Sequence, residues 1–251
     1  MPGAKREVTR EEVLELFPSV GHLTYLLDAT LLRPEADERE YLSFLRQAAD
    51  ARFRAVFVPP YYLPMARMEL RGSGVVLGAP LGFPFGYQST DAKRAEAVFA
   101  LQQGAGELDM VINISALRSG RLERVREDIR GVVELARRYD AGKGEGHVVV
   151  KVILETCYLS REEMRLGALL AREAGADFVK TSTGFGPAGA TADDVRFLRE
   201  VVGPGFGVKA SGGIRTLAQV MEMVRAGANR IGTSAAYAIL QEYLWIYGVR
   251  S

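Results

Sequence analysis

Asp177-Phe178-Val179-Lys180-Thr181-Ser182-Thr183-Gly184-Phe185-Gly186 is a short apolar run that ends in a lysine and breaks at once into small, hydroxylated and Gly-rich residues. The pattern reads as a buried strand delivering one amine to the mouth of a loop able to cradle an anion. Upstream, Val148-Val149-Val150 leads into Lys151; downstream, Phe206-Gly207-Val208-Lys209 runs into Ala210-Ser211-Gly212-Gly213. Lys151, Lys180 and Lys209 are 29 residues apart each time. A strand, a helix and two short loops fill such an interval, so three neighbouring parallel strands are expected to release their lysines at the same end.

One lysine at a strand end ordinarily snorkels to solvent. Three at equal spacing, with Lys180 and Lys209 followed by small or hydroxylated residues, favour a site. Like charges gathered in a partly dry mouth push one ammonium to lose its proton. Bringing a lysine from its ordinary pKa of ~10.4 to about 7 requires roughly 4–5 kcal/mol, within reach of buried amines. A neutral amine facing a carbonyl performs Schiff-base chemistry.

Working outward, eight short strands alternate with helices. They are expected over Thr24 to Asp28, Ala55 to Val58, Gly74 to Ala79, Glu107 to Ile112, Val148 to Leu154, Asp177 to Lys180, Phe206 to Lys209 and Arg230 to Gly232. The spacings Thr9…Glu12, Ser160…Glu163 and Thr216…Gln219 have the form of capping boxes and open three helices, the first a short N-terminal one ending near Phe17. Further helices follow from a Leu42, Leu45, Ala49 stripe, from Ser89 to Gln103, and from Leu122, Val125, Ile129, Val132 and Ala136 on one face. Pro80 to Gly86 is a Gly/Pro-rich loop, Gly142 to Gly146 a turn, and Thr233-Ser234 opens the last helix. An α/β (β/α)₈ TIM barrel with a short extra N-terminal helix accommodates this order, the alternative being a doubly wound open sheet. The barrel is favoured because it gathers Asp109, Lys151, Lys180 and Lys209 around one rim. No linker interrupts the chain, so residues 1–251 are read as one barrel domain with residues 1–20 as an N-terminal extension.

At 251 residues, 48% apolar and 25% charged, the composition is that of an ordinary soluble protein. A formal charge of +1 provides no long-range field for nucleic acid or membrane. The lone Cys157 excludes an intrachain disulfide framework, fits a reducing compartment and reads as an inert thiol. Met1 to Arg6 has no apolar signal core and no run is long enough to span a membrane, so the cytoplasm is the expected location.

Gly212-Gly213 and Gly232-Thr233-Ser234, with Thr183-Gly184 beside them, form a second constellation. Glycines allow backbone N–H groups to approach an anion, and the loops after barrel strands seven and eight commonly hold phosphate. Glycines that merely shape tight turns are the plainer alternative. Asp109, embedded in an apolar strand, needs a partner; a structural ion pair and a proton-relay role are about equally weighted. His22 and His147 are isolated, with His147 at the opposite end from the lysines, so no catalytic zinc is expected.

These stretches closely resemble the deoxyribose-phosphate aldolase family. The likeness rests on Val149 to Thr156, Gly175 to Gly186, Gly207 to Arg215, Glu107 to Asn113, Gly82 to Gly86 and Arg230 to Ser234, and runs from about residue 24 to 240. It implies a class I aldolase with no metal and no cofactor, reversibly splitting 2-deoxy-D-ribose 5-phosphate into acetaldehyde and D-glyceraldehyde 3-phosphate. By that likeness Lys180 forms the Schiff base, while Lys209 depresses its pKa and shares proton transfer with Asp109. Lys151 supports the electrostatics, and Gly184, Gly212, Gly213 and Ser234 match phosphate-binding positions; Asp28, Thr183 and Thr233 join Lys151 in the expected substrate-binding set. The chain departs from the family pattern at Ala29, at Phe57-Val58-Pro59 and at its Tyr247-Gly248-Val249-Arg250-Ser251 end, positions that bear on acceptor preference. A small phosphosugar is the expected partner, with homo-oligomerisation left open. Two rivals remain: a transaldolase-like Schiff-base enzyme on another phosphosugar, and a catalytically silent barrel that binds sugar phosphates.

Overall fold

The computed structural model describes residues 8–143 and 147–248, without the side chains of 141–143. Residues 1–7 and 249–251, on which the signal and C-terminal readings fall, lie outside it. So do residues 144–146 of the expected turn, while helix continues through Gly142 and Lys143. Eight parallel strands, β1 (Leu27–Thr30), β2 (Ala55–Phe57), β3 (Val76–Leu81), β4 (Glu107–Val111), β5 (Val149–Ile153), β6 (Phe178–Lys180), β7 (Gly207–Ser211) and β8 (Arg230–Thr233), pair in chain order and close on themselves. The barrel reading holds and the open sheet does not.

Eleven α-helices surround it among the described residues: α1 (Arg10–Leu16), α2 (Val20–Thr24), α3 (Glu38–Ala51), α4 (Leu63–Glu69), α5 (Thr90–Gln102), α6 (Ile114–Arg118), α7 (Leu122–Lys143), α8 (Arg161–Glu173), α9 (Ala192–Val202), α10 (Leu217–Arg225) and α11 (Ala236–Tyr247). The three expected capping boxes form, at Thr9, Ser160 and Thr216. A fourth, Asp37 with Glu40, opens α3, whose buried stripe is Tyr41, Leu45 and Ala48 rather than Leu42, Leu45 and Ala49. Thr24 belongs to α2 rather than to the first strand, which begins at Leu27 because Leu23 and Thr24 are buried on a helical turn. None of the described helices is long and apolar enough to cross a membrane.

Alternation along each strand sends successive side chains to opposite faces. Leu27, Val56, Leu108, Val150, Val179, Val208 and Ile231 are buried apolar residues of one face, in a core shared with Leu45, Leu101, Ile129, Ala171, Leu198, Val220 and Ile239 of the helices. The other face holds Asp28, Glu107, Asp109, Lys151, Lys180, Lys209 and Arg230, all buried. Arg230 on β8 reaches Glu107 on β4, a contact that only the barrel interior permits. The interior of this barrel is therefore ionic.

Candidate active site

Register decides which lysine reaches the cavity. Lys180 is the last residue of β6 and sits opposite Ile153 and Lys209, whereas Lys151 lies opposite Asp109. Lys180 is at a strand end as expected. Lys151 and Lys209 are not, and the expectation of three lysines at strand ends is corrected. β7 runs on through Ala210 and Ser211 because Ser211 pairs with Gly232, leaving Lys209 in mid-strand. Both Lys151 and Lys209 are fully buried below Lys180, which is 5% exposed.

Asp109 is the hub of this interior. Its Oδ2 accepts from Lys180 Nζ at 2.9 Å and from Lys209 Nζ at 2.7 Å, while its Oδ1 accepts from Lys151 Nζ at 2.9 Å. Lys151 also donates to Glu107 Oε2 at 2.5 Å. Arg230 joins Glu107, at 2.9 Å, to Asp28, whose Oδ1 accepts from Arg230 Nε at 3.0 Å. Lys209 Nζ stands 2.6 Å from Asp28 Oδ2, an ion-pair contact outside hydrogen-bond geometry. Crowding of bare ammonium groups is therefore not the arrangement: a carboxylate separates each pair.

Burial alone would raise both aspartates. Lys209, Arg230 and Lys151 overcome it at Asp28 and bring its pKa to about 2, and Lys151, Lys180 and Lys209 hold Asp109 well below the carboxylate range. Burial weakens the Lys151 ammonium, but Asp109, Glu107 and Asp28 more than restore it, so its pKa rises. At Lys209 burial wins over Asp109 and Asp28, and its pKa falls to about 8. Lys209 is thus a buried amine able to exchange a proton near neutrality.

Above Lys180 opens a cavity of ≈ 340 Å³, within the range of small-molecule sites. Lys180, Thr183, Gly184, Gly212, Gly213, Thr233 and Ser234 line it. Lys151 and Asp28 do not, and their placement departs from the expectation of substrate contact: both are fully buried under the floor. Gly212 and Gly213 have φ of +87° and +78°, where only glycine is at ease, and a Cβ on Gly213 would meet no protein atom. A Cβ on Gly189 would strike Gly212 O at 2.1 Å, so the loops after β6 and β7 touch backbone to backbone.

The two threonines are already engaged. Thr233 Oγ1 donates to Ile214 O at 2.6 Å and accepts from Ala235 N–H at 2.9 Å. Thr183 Oγ1 donates to the Glu155 carboxylate and accepts from Phe185 N–H at 3.0 Å. They shape the cradle, and the glycine backbone and Ser234 are left to face the cavity. Glu155 was not legible in the sequence: it holds the Thr183 loop from a left-handed backbone (φ +57°), and burial raises its pKa. Glu107 and Arg230 were missed as well, although Glu107 and Asp109 at i and i+2 of one strand must share a face. Arg33 and Arg215 also line the cavity, Arg33 paired with Glu40. Of the remaining sequence candidates, Cys157 is half-buried with its thiol pKa pushed up by burial, and His147 pairs with Asp177 at 2.8 Å at the start of β5.

Residues 30–242 match the model of the DeoC/LacD family aldolases. The chain belongs to that family. The deoxyribose-phosphate aldolase of Caldanaerobacter subterraneus subsp. tengcongensis is 46% identical over 90% of this aldolase and 95% of its own length. That of Thermococcus kodakarensis is 49% identical over 86% and 94%. Among solved structures, the deoxyribose phosphate aldolase of Aeropyrum pernix, described as a unique tetramer, superposes with a TM-score of 0.84 at 36% identity, covering 93% of this chain and 96% of its own.

Proposed function

We propose that this aldolase reversibly cleaves 2-deoxy-D-ribose 5-phosphate into acetaldehyde and D-glyceraldehyde 3-phosphate through a Schiff base on Lys180. The observation that carries the reading is that Lys180 alone of the interior lysines lines the cavity while sharing one Asp109 oxygen with Lys209.

Of the buried interior groups, four are cations (Lys151, Lys180, Lys209, Arg230) and three are carboxylates (Asp28, Glu107, Asp109). Loss of one proton balances them. With Lys209 at about 8, the proton departs near neutrality, and relay through Asp109 transfers the vacancy from Lys209 to Lys180. Neutral Lys180 Nζ then attacks C1 of the open-chain aldehyde; the Lys209 ammonium returns its proton through Asp109 to the carbinolamine hydroxyl, which leaves as water and gives a protonated imine with Lys209 now neutral. The C3 hydroxyl gives up its proton towards the Asp109–Lys209 pair as C2–C3 breaks, and the bonding electrons flow into the iminium to leave an enamine. Glyceraldehyde 3-phosphate departs, the enamine takes a proton at C2, and hydrolysis releases acetaldehyde and the free lysine.

The backbone of Gly184, Gly212 and Gly213, with Ser234, receives the phosphate, and binding energy at that end orients the reacting one. Lys151 and Asp28 act from beneath, keeping Asp109 ionised and Lys209 in place. We assign the enzyme to the cytoplasm and to a homo-oligomer, the latter by likeness to the Aeropyrum pernix aldolase, which is described as tetrameric; sedimentation velocity tests the assembly. Turnover measured on a panel of aldose and ketose phosphates tests the substrate. Cleavage of 2-deoxyribose 5-phosphate above all others is expected; preference for a ketose phosphate, or binding without product, overturns it.

A further inference from the structure

Phe57 ends β2 and is buried inside the barrel, among charges. Its ring centroid lies 4.0 Å from Lys209 Nζ, 4.8 Å from Lys151 Nζ and 5.9 Å from Lys180 Nζ. No step of the Schiff-base reaction uses an aromatic ring. Yet the barrel makes room for one: Gly78 is the register partner of Phe57 on β3, and a Cβ there would fall 2.4 Å from the ring Cζ.

We propose that Phe57 is a positioning residue of the proton relay, its ring face holding the Lys209 ammonium charged and in place between Asp28 and Asp109. An aromatic face attracts a cation within about 6 Å of its centroid, most strongly where water is excluded. Lys209 is fully buried, so the attraction acts at its strongest. The groups facing Lys209 come from every side. Asp28 on β1 stands at 2.6 Å and Asp109 on β4 at 2.7 Å; Glu107 on β4 lies beyond; Lys151, Lys180 and Arg230 on β5, β6 and β8 repel. The carboxylates favour the ammonium, while burial and the three cations oppose it. The ring adds attraction without adding charge, and it closes the space to water. An aliphatic side chain would close the space and supply none of the attraction. Phe57 thereby sets the pH at which Lys209 yields its proton, and so the pH at which Lys180 becomes free to react. The consequence for turnover rests on the Lys180 reading above, whereas the contact itself does not.

The test replaces Phe57 by 4-fluoro-, 3,5-difluoro- and 3,4,5-trifluorophenylalanine, which progressively drain the ring face at nearly constant shape. Lysine ¹³Cε resonances of the substrate-free protein are titrated by NMR, with Lys209 assigned through Lys209→Leu. The Lys209 midpoint should move stepwise to lower pH, by roughly one pH unit at the trifluorinated ring, and the rising limb of kcat/KM against pH should follow it. Phe57→Leu, checked for folding by thermal melt, should lower the midpoint as well. A midpoint unmoved across the fluorinated series, or one that rises in Phe57→Leu, overturns the role. Should the midpoint move as expected while the parent protein never cleaves 2-deoxyribose 5-phosphate, the ring contact stands and the proposed function falls.

Discussion

Lys180 and Lys209 share a single acceptor, Asp109 Oδ2, at 2.9 and 2.7 Å. One of the two lysines lines the cavity and the other is sealed beneath it. A carboxylate between two amines allows either to carry the proton, so a free amine can form at the cavity-lining position while the charge rests at the one beneath it.

Lys209→Leu removes both a neighbouring positive charge and the place where the Lys180 proton can rest. Asp109 then faces Lys180 with its negative charge less compensated and favours the ammonium. The rising limb of kcat/KM, expected near pH 8 in the parent from the Lys209 pKa of about 8, should shift to alkaline pH by roughly one unit or more. Circular dichroism confirms folding before the profile is read. A limb that stays in place excludes the relay.

Gly212→Ala should separate phosphate binding from chemistry. The residue has φ +87°, and its new Cβ would approach Gly189 Cα to 3.0 Å and Ser182 Cβ to 3.2 Å. Strain of about 1–3 kcal/mol falls on the cradle rather than on Lys180. KM for 2-deoxyribose 5-phosphate should rise roughly tenfold or more, while kcat/KM for unphosphorylated 2-deoxyribose stays within about twofold. Equal losses on both substrates would contradict the placement of the phosphate.

Legibility in the sequence followed the physics of the strands. The repeated lysine runs disclosed β5, β6 and β7, and the Gly212-Gly213 pair after β7 with Gly232-Thr233-Ser234 at the end of β8 pointed to the cavity lining, because both signals are local. Lysines set within apolar runs gave a false impression of strand ends at Lys151 and Lys209, since an ionic interior interrupts the pattern without ending the strand. Arg230 and Glu107 meet across the barrel from 123 residues apart, a distance no window spans. Glu155 escaped notice because its role depends on a left-handed backbone and a loop 28 residues on. Phe57 was legible as a departure from the family pattern, but only the closed barrel brings it to Lys209.

Stability should hinge on a second buried pair. Lys93 on α5, fully buried, donates to Asp128 Oδ2 on α7 at 2.5 Å and to Val111 O at the end of β4 at 2.9 Å. Lys93→Met strands the Asp128 charge and should cost about 3–5 kcal/mol, lowering Tm by roughly 6–20 °C. Adding Asp128→Leu should recover most of that loss, because the uncompensated charge is gone. Calorimetry reads both, and a double variant no more stable than Lys93→Met would show that the charge is not the cause.

Schiff-base formation at Lys180 can be trapped with sodium borohydride. Reduction in the presence of 2-deoxyribose 5-phosphate or acetaldehyde, followed by proteolysis and peptide mass mapping, should place the adduct on Lys180 within Asp177-Phe178-Val179-Lys180-Thr181-Ser182-Thr183. Lys180→Arg should fold normally and trap nothing. An adduct on Lys151, Lys209 or a surface lysine, or turnover that survives in Lys180→Arg, would contradict the assignment.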